Sequence, residues 1–507
     1  MKTRSFLSAA HRFRALVRVF ALALPMATTS APALGQGATR AAPVAISLDD
    51  ALRLGAQVSH TVRTAQAGTL RARGQQSQAR AQYFPQVTAS AGYQRTLQSQ
   101  FSEIQKRDNA SKPASTGSGD TTSTTNSFGS ISKIFASPVT ETMSLSFSQN
   151  VFTAGRVEAV NALAEAARTA ADIGLDAARA QVSLDVAQAY YDAVAAGQLA
   201  EISDSTLAQA ERSLQHTTLA HEVGSASEFD LLRARVARDN QRPIVIQAKG
   251  NRDVALLRLR QLLGIPLPQP MTLTMPIPDE GVAAGAALAQ GVSLDRPIEI
   301  PGTNRALTPD TSTARRSVVR QAEATVDAQR AALRAARWER LPSVQLTSTY
   351  QRFAYPNEST IIPSTLGLFF PNWTVNAGLS FPLFTGGRLA GDRLVAEANL
   401  TEAEESLALA KDFAALDART AVIQLAQAQS AYAASVGTDE QAAKAYGIAE
   451  VRQQEGISTQ VELLQARTQY EQARLNRVQA AKDLELARLR VALLKDLPLN
   501  TTTAGRR

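Results

Sequence analysis

Two motifs each occur twice in this chain, and one spacing separates both pairs. Phe152-Thr153-Ala154-Gly155-Arg156 returns as Phe384-Thr385-Gly386-Gly387-Arg388, and Gly224-Ser225-Ala226-Ser227-Glu228-Phe229-Asp230-Leu231-Leu232-Arg233-Ala234-Arg235 returns as Gly456-Ile457-Ser458-Thr459-Gln460-Val461-Glu462-Leu463-Leu464-Gln465-Ala466-Arg467, in both cases 232 positions later. Self-similarity at a fixed distance marks duplicated architecture. Between Arg156 and Gly224 lie about 68 residues without proline, rich in Ala, Leu, Gln, Arg and Glu, and the stretch from Arg388 to Gly456 is equally long and equally free of proline. Such residues favour helix, and at ~1.5 Å per residue each stretch is a rod of roughly 100 Å. Helices ordinarily run ~10–14 residues, so a rod of this length must be sustained by packing along a partner.

The packing stripe is visible. Leu175, Ala178, Val182, Val186, Ala189 and Ala193 follow a 3,4 alternation, and the positions 232 further on are Leu407, Ala410, Ala414, Ala418, Ala421 and Leu425. This is a coiled-coil seam, and its alanines imply closely approaching helices. Each rod stops at a small-residue turn, Gly224-Ser225-Ala226-Ser227 or Gly456-Ile457-Ser458-Thr459, and a second helical pattern begins at once, where serine or threonine can cap it. Each repeat therefore predicts a long helical hairpin with its tip at 224 or 456.

Upstream of each rod the period falls to two. Met143, Leu145 and Phe147 alternate with serines, and Trp373, Val375, Ala377, Leu379 and Phe381 alternate with small or polar residues; this is strand patterning. Strand pairs are expected at 85–97/141–152 and 343–353/373–384, each preceded by a helix, Leu48 to about Arg80 and about Ser317 to Arg337. The first pair is joined by a long Ser/Thr/Gly-rich loop, 98–139, expected to be external. The resulting division is repeat one at 34–266, a proline-rich connector at 267–311, repeat two at 312–498 and a tail at 499–507.

Of the net charge of +8, five units belong to Lys2, Arg4, Arg12, Arg14 and Arg18. With the apolar run Val19 to Leu24 and the small-residue exit Ala31-Pro32-Ala33, residues 1–33 read as a secretory signal peptide, so the charge is no argument for nucleic-acid binding. Cysteine is absent, which removes disulfides, thiolate chemistry, cysteine-ligated zinc and a lipidated N-terminal cysteine. No later stretch reaches the ~18 apolar residues of a spanning helix, so any bilayer crossing must be β-structure. Four strands leave two open edges that lipid cannot satisfy. Closure requires further copies, and because barrels below ~8 strands have no lumen, three copies with ~12 strands are the comfortable solution.

The order helix, strand pair, long helix, glycine tip, helix, twice over, with Phe-Thr-Gly-Gly-Arg at the strand-to-helix elbow and Gly-x-x-Ser-x-x-(Asp/Glu)-Leu-Leu-x-Ala-Arg after the tip, resembles the TolC family of outer-membrane efflux channels. The resemblance runs from Leu48 to Pro498. It implies an α+β membrane protein: a homotrimer with a 12-stranded β-barrel in the lipid of the outer membrane of a Gram-negative bacterium, continuous with a periplasmic α-barrel built from the hairpins. It also implies a periplasmic adaptor and an inner-membrane pump as partners, docking at the tips 224–227 and 456–459, with no cofactor and no chemistry of the channel's own. The family's acids beyond the tips fall on Asp230 and Glu462. The family's tyrosine, arginine and second ring acid correspond to Gln453, Ser458 and Gln465, so its locking network does not transfer. Arg452 is the candidate base for Asp230, and Glu462 the candidate acidic ring, since converging carboxylates favour cations. Both acids also sit where a carboxylate favours the positive end of a restarting helix. At the elbows, Gly155, Arg156, Gly387 and Arg388 start the long helices, with lipid phosphate as the other reading for the arginines.

An enzyme lacks support in the residues. His216 and His221 are five apart and do not share a helix face, and neither phosphate-binding glycine motifs nor G-x-S-x-G occurs. A periplasmic coiled-coil adaptor or scaffold protein of an export system is the rival, but an adaptor would carry one hairpin among several β-domains. The exported substrate is not encoded, although the lack of a methionine cluster or histidine pair disfavours dedicated soft-metal export.

Overall fold

The computed structural model describes residues 44–97, 139–266, 269–277, 298–299, 306–307, 310–354 and 369–499. The expected signal peptide, nearly all of loop 98–139, most of the connector 267–311 and all but the first residue of the tail fall outside them. In chain order the elements are β1 (Val44–Ile46), α1 (Leu48–Val58), α2 (His60–Ala81), β2 (Gln86–Arg95), β3 (Val139–Phe152), α3 (Arg156–Glu222), α4 (Glu228–Leu263), β4 (Met271–Leu273), β5 (Ile298–Glu299), β6 (Ala306–Leu307), α5 (Ser317–Trp338), β7 (Ser343–Ala354), β8 (Phe370–Ser380), α6 (Arg388–Gln454) and α7 (Gln460–Leu493). No helix among the described residues is long and apolar enough to cross a membrane.

Helices α3 and α6 are each 67 residues long. Their seams are the alanine-rich stripes: Val182, Val186, Ala189 and Ala193 are buried in α3, and Ala410, Ala414, Ala418, Ala421 and Leu425 in α6, whereas Leu175, Ala178 and Leu407 are half-buried. Helix α4 lies along α3 and α7 along α6; α7 also touches α3, and α5 lies against both α3 and α6. The expected single helix from Leu48 to about Arg80 is two helices. Ser59 takes φ −53° and ψ 123°, and its side chain accepts from the Val62 amide, so it ends α1 and caps α2.

Strands β2, β3, β7 and β8 form one antiparallel sheet in that order. The register sorts its two faces by chemistry. One face carries the rows Val87–Phe147–Ser348–Val375 and Ala89–Leu145–Tyr350–Trp373; the other carries Thr88–Ser146–Thr349–Thr374 and Gln86–Ser148–Thr347–Asn376. Alternation along each strand thus becomes one largely apolar surface and one hydroxyl- and amide-rich surface. β8 begins at Phe370, earlier than the expected 373, and ends at Ser380 rather than 384, because Pro382 offers no N–H to extend the ladder. β2 is shorter than 85–97, and β3 starts at Val139 rather than 141.

The main core lies at mid-height of the hairpins, around Ile46, Leu48, Val186, Tyr190, Leu259, Leu263, Tyr432, Leu484 and Leu494. The short β1 pairs in parallel with β4. Tyr190 clamps this region, its hydroxyl donating to the Ile46 carbonyl and accepting from the Met275 amide, both at 3.3 Å. Burial raises the pKa of Tyr190 and, further, that of Tyr191, which also faces the Glu485 carboxylate. At the foot of α5, Arg316 is fully buried. Its Nη2 donates to Asp417 at 2.7 Å, and Arg490 reaches the same carboxylate at 3.0 Å. The start of α5 is thereby fastened to α6 and α7, an attachment completed by Ser317, whose amide donates to the Lys495 carbonyl.

Candidate functional site

The two hairpin tips are built alike. Gly224 and Gly456 lie in the left-handed region, with φ 79° and 72°. In the first tip the Ser225 amide donates to Ala220 O at 2.8 Å and Gly224 to His221 O at 2.9 Å; in the second, Ile457 donates to Arg452 O at 2.8 Å and Gly456 to Gln453 O at 3.1 Å. These paired bonds close the last carbonyls of α3 and α6, and the positive φ is why glycine occupies both positions. Ser227 and Thr459 then cap the next helices, accepting from the Asp230 and Glu462 amides at 3.1 and 3.4 Å.

Asp230 receives a hydrogen bond from the Ser227 hydroxyl at 2.6 Å, and it forms no ion pair among the described residues. The structure does not join it to Arg452, which is exposed and takes part in the turn through its carbonyl. Within one chain Asp230 is therefore part of a helix cap. Glu462 is exposed in the first turn of α7, and of the four tip residues on each side only Ala226 and Ser458 are half-buried.

The ties between the two hairpins near the tips are polar and lateral. Gln460 Nε2 donates to Ser213 Oγ at 2.9 Å, Arg474 Nη1 to Ser205 Oγ at 3.2 Å, and Gln241 Nε2 to Glu471 Oε1 at 3.2 Å. Tyr446 and Tyr470 stack with ring centroids 5.8 Å apart, bridging α6 and α7. Burial, then the neighbouring Glu450, raises the Tyr446 pKa. No periodicity in the sequence singles out Ser205, Ser213 or Gln241, because lateral contacts between hairpins leave no mark on a single helix.

At the other end of the rods, Gly155 and Gly387 sit at φ 76° and 90° immediately before α3 and α6. Gly155 is pressed against Trp338, whereas Gly387 has open space around it. Arg156 is exposed, while Arg388 is engaged within the chain, pairing with Glu339 at 3.1 Å and Asp392 at 2.7 Å. No cluster of three or more potential metal ligands occurs among the described residues.

The profile of the outer membrane efflux protein family matches residues 52–265 and 308–494. This chain is a member of the outer membrane efflux protein family. Its fold is similar to the outer membrane protein VceC of Vibrio cholerae, at 19% identity and TM-score 0.65 over 88% of this chain and 95% of that one. It is likewise similar to the CmeC outer membrane channel of Campylobacter jejuni, at 15% identity and TM-score 0.62 over 96% of each. The probable efflux pump outer membrane protein SepC of Pseudomonas putida strain F1 is 29% identical over 278 residues, 52% of this chain and 51% of that protein. The chain thus spans about half the length of the curated relatives it matches. Membership places this outer membrane efflux protein in the outer membrane.

Proposed function

We propose that three copies of this chain close a 12-stranded barrel in the outer membrane and conduct substrates passively to the exterior from a periplasmic adaptor and an inner-membrane pump. The sheet carries this reading: four strands with one apolar and one hydroxyl-rich face, and with β2 and β8 left as open edges. Lipid tolerates no unpaired edge, so the apolar rows face lipid, the polar rows face a lumen, and β8 of one copy meets β2 of the next. The helices support the same assembly, because Leu409, Phe413, Leu416 and Ile423 form an exposed apolar stripe on α6 and Val236, Ile246 and Val254 are exposed on α4. Two hairpins sharing one sheet favour the channel over a periplasmic coiled-coil adaptor. We read 34–266 and 312–498 as repeats of one unit.

In the trimer the tips 224–227 and 456–459 meet the adaptor, Glu462 supplies one acidic ring at the narrowest point, and Asp230 faces the same passage from the first hairpin once the copies converge, with Arg452 as its base across a subunit boundary. Extraction from outer membranes should yield a trimer that migrates as monomer after heating. In planar bilayers, Asp230→Ala or Glu462→Ala should alter conductance and reduce cation selectivity. A soluble monomer would contradict the channel reading, and unchanged conductance and selectivity in both variants would remove the gate assignment alone.

A further inference from the structure

Above the tips a cavity of about 300 Å³ opens between the two hairpins, and its walls come from all four helices. The first hairpin contributes Arg212, His216 and Arg233, and the second contributes Tyr446, Glu450 and Arg467. Three guanidinium groups therefore line one space together with a single carboxylate. That carboxylate, Glu450, accepts a hydrogen bond from the Tyr446 hydroxyl at 3.3 Å. None of the three arginines forms an ion pair among the described residues. Arg233 lies over the Phe229 ring at 5.6 Å. The Glu471 carboxylate one turn away acts on Arg467 and also accepts from Gln241 of the first hairpin at 3.2 Å. Arg467 is half-buried, and desolvation is the largest influence on it, lowering its pKa.

Half-buried Arg233 and Arg467, with exposed Arg212 beside them, outnumber the one carboxylate of the lining, and partly desolvated positive charge in excess attracts a counter-ion. A guanidinium fork matches the geometry of carboxylate and phosphate oxygens. We infer that this cavity is a binding site for a small oxyanion, which bridges Arg212 and Arg233 of the first hairpin to Arg467 of the second. Bound there, the anion is a cross-link between the hairpins and holds them together. The site rests on the geometry of a single chain and is independent of the conduction reading.

The test is calorimetric titration of the detergent-extracted full-length protein with inorganic phosphate, against a sodium chloride titration of equal ionic strength. Saturable binding of one phosphate per chain is expected, absent with chloride, and weakened at least tenfold in R467Q and in R212Q but not in R258Q, whose exposed arginine lies outside the cavity. R212Q changes an exposed side chain and keeps the test decisive if R467Q misfolds. Lack of saturable binding, or binding undiminished in R212Q and in a folded R467Q, overturns the assignment. So does a result in which phosphate is inert while R467Q and R212Q abolish capture of the adaptor, since the cavity would then receive a partner's carboxylate.

Discussion

Substituting alanine at the two elbows separates backbone strain from packing. A Cβ on Gly155 would stand 2.2 Å from Trp338 Cε3 and 2.7 Å from Cζ3, whereas one on Gly387 would meet nothing within 4 Å. Both glycines have left-handed φ, 76° and 90°, and alanine there costs about 1–2 kcal/mol, offset in part by ~0.4–1 kcal/mol from stiffening the unfolded chain. Gly387→Ala should therefore cost about 1 kcal/mol. Gly155→Ala adds overpacking, typically ~1–3 kcal/mol. Trp338 is half-exposed at 49% and can swing towards solvent, which favours the lower part of that range. The expected excess over Gly387→Ala is ~1–2 kcal/mol, or about 5- to 30-fold in an equilibrium constant. Denaturant midpoints of the purified protein measure it, and the control is Gly155→Ala in a Trp338→Ala background, where the excess should vanish. Equal costs at the two elbows, or an excess that survives removal of the indole, would refute the steric reasoning.

The two sheet faces should respond oppositely to charge. Leu145→Arg, on the apolar face, is expected to cost ~2–4 kcal/mol near mid-membrane and to lower the yield of assembled protein, whereas Ser146→Arg should assemble and change single-channel conductance. In the buried cluster, Asp417→Leu strands Arg316 without its counter-charge and should cost ~3–5 kcal/mol, read as a shift in denaturant midpoint. The double variant Arg316→Met/Asp417→Leu should be less damaged than Asp417→Leu alone. Ser227→Ala removes the α4 cap and should cost ~1 kcal/mol, more than Ser225→Ala, because the Ala220 carbonyl that the Ser225 hydroxyl reaches keeps its backbone donors; hydrogen exchange at the tip compares the two.

The sequence carries strong signals wherever structure is local and periodic. Period-two runs around Leu145 and Val375 already separate the two faces of the sheet, and the Gly224 and Gly456 motifs contain both the left-handed residue and the serine or threonine cap. Contacts between elements far apart in the chain leave no such signal. The pairing of β1 with β4 rests on three residues a side, too few to show a period. Arg316, Asp417 and Arg490 look like surface charges on their own helices until α5, α6 and α7 converge on them. Ser59 escapes notice for a related reason: one serine inside a good helical pattern gives no sign that its side chain will cap the next helix. Asp230 shows the converse limit, because its motif suggests a gate ion pair while the single chain gives it a capping partner in Ser227, leaving any gate role to contacts between copies.

In the proposed channel, β2 and β8 are free edges only until neighbouring copies join them. The chain has no cysteine, so one cysteine introduced in β2, at Ala89, and one in β8, scanned from Val375 to Leu379, test this without background. Oxidation in isolated outer membranes should give covalent dimers and closed trimers for at least one pair, and no such products when either cysteine is present alone. Exclusively intramolecular disulfides, or no cross-link at any register with the protein folded and in the membrane, would contradict a barrel assembled from these edges.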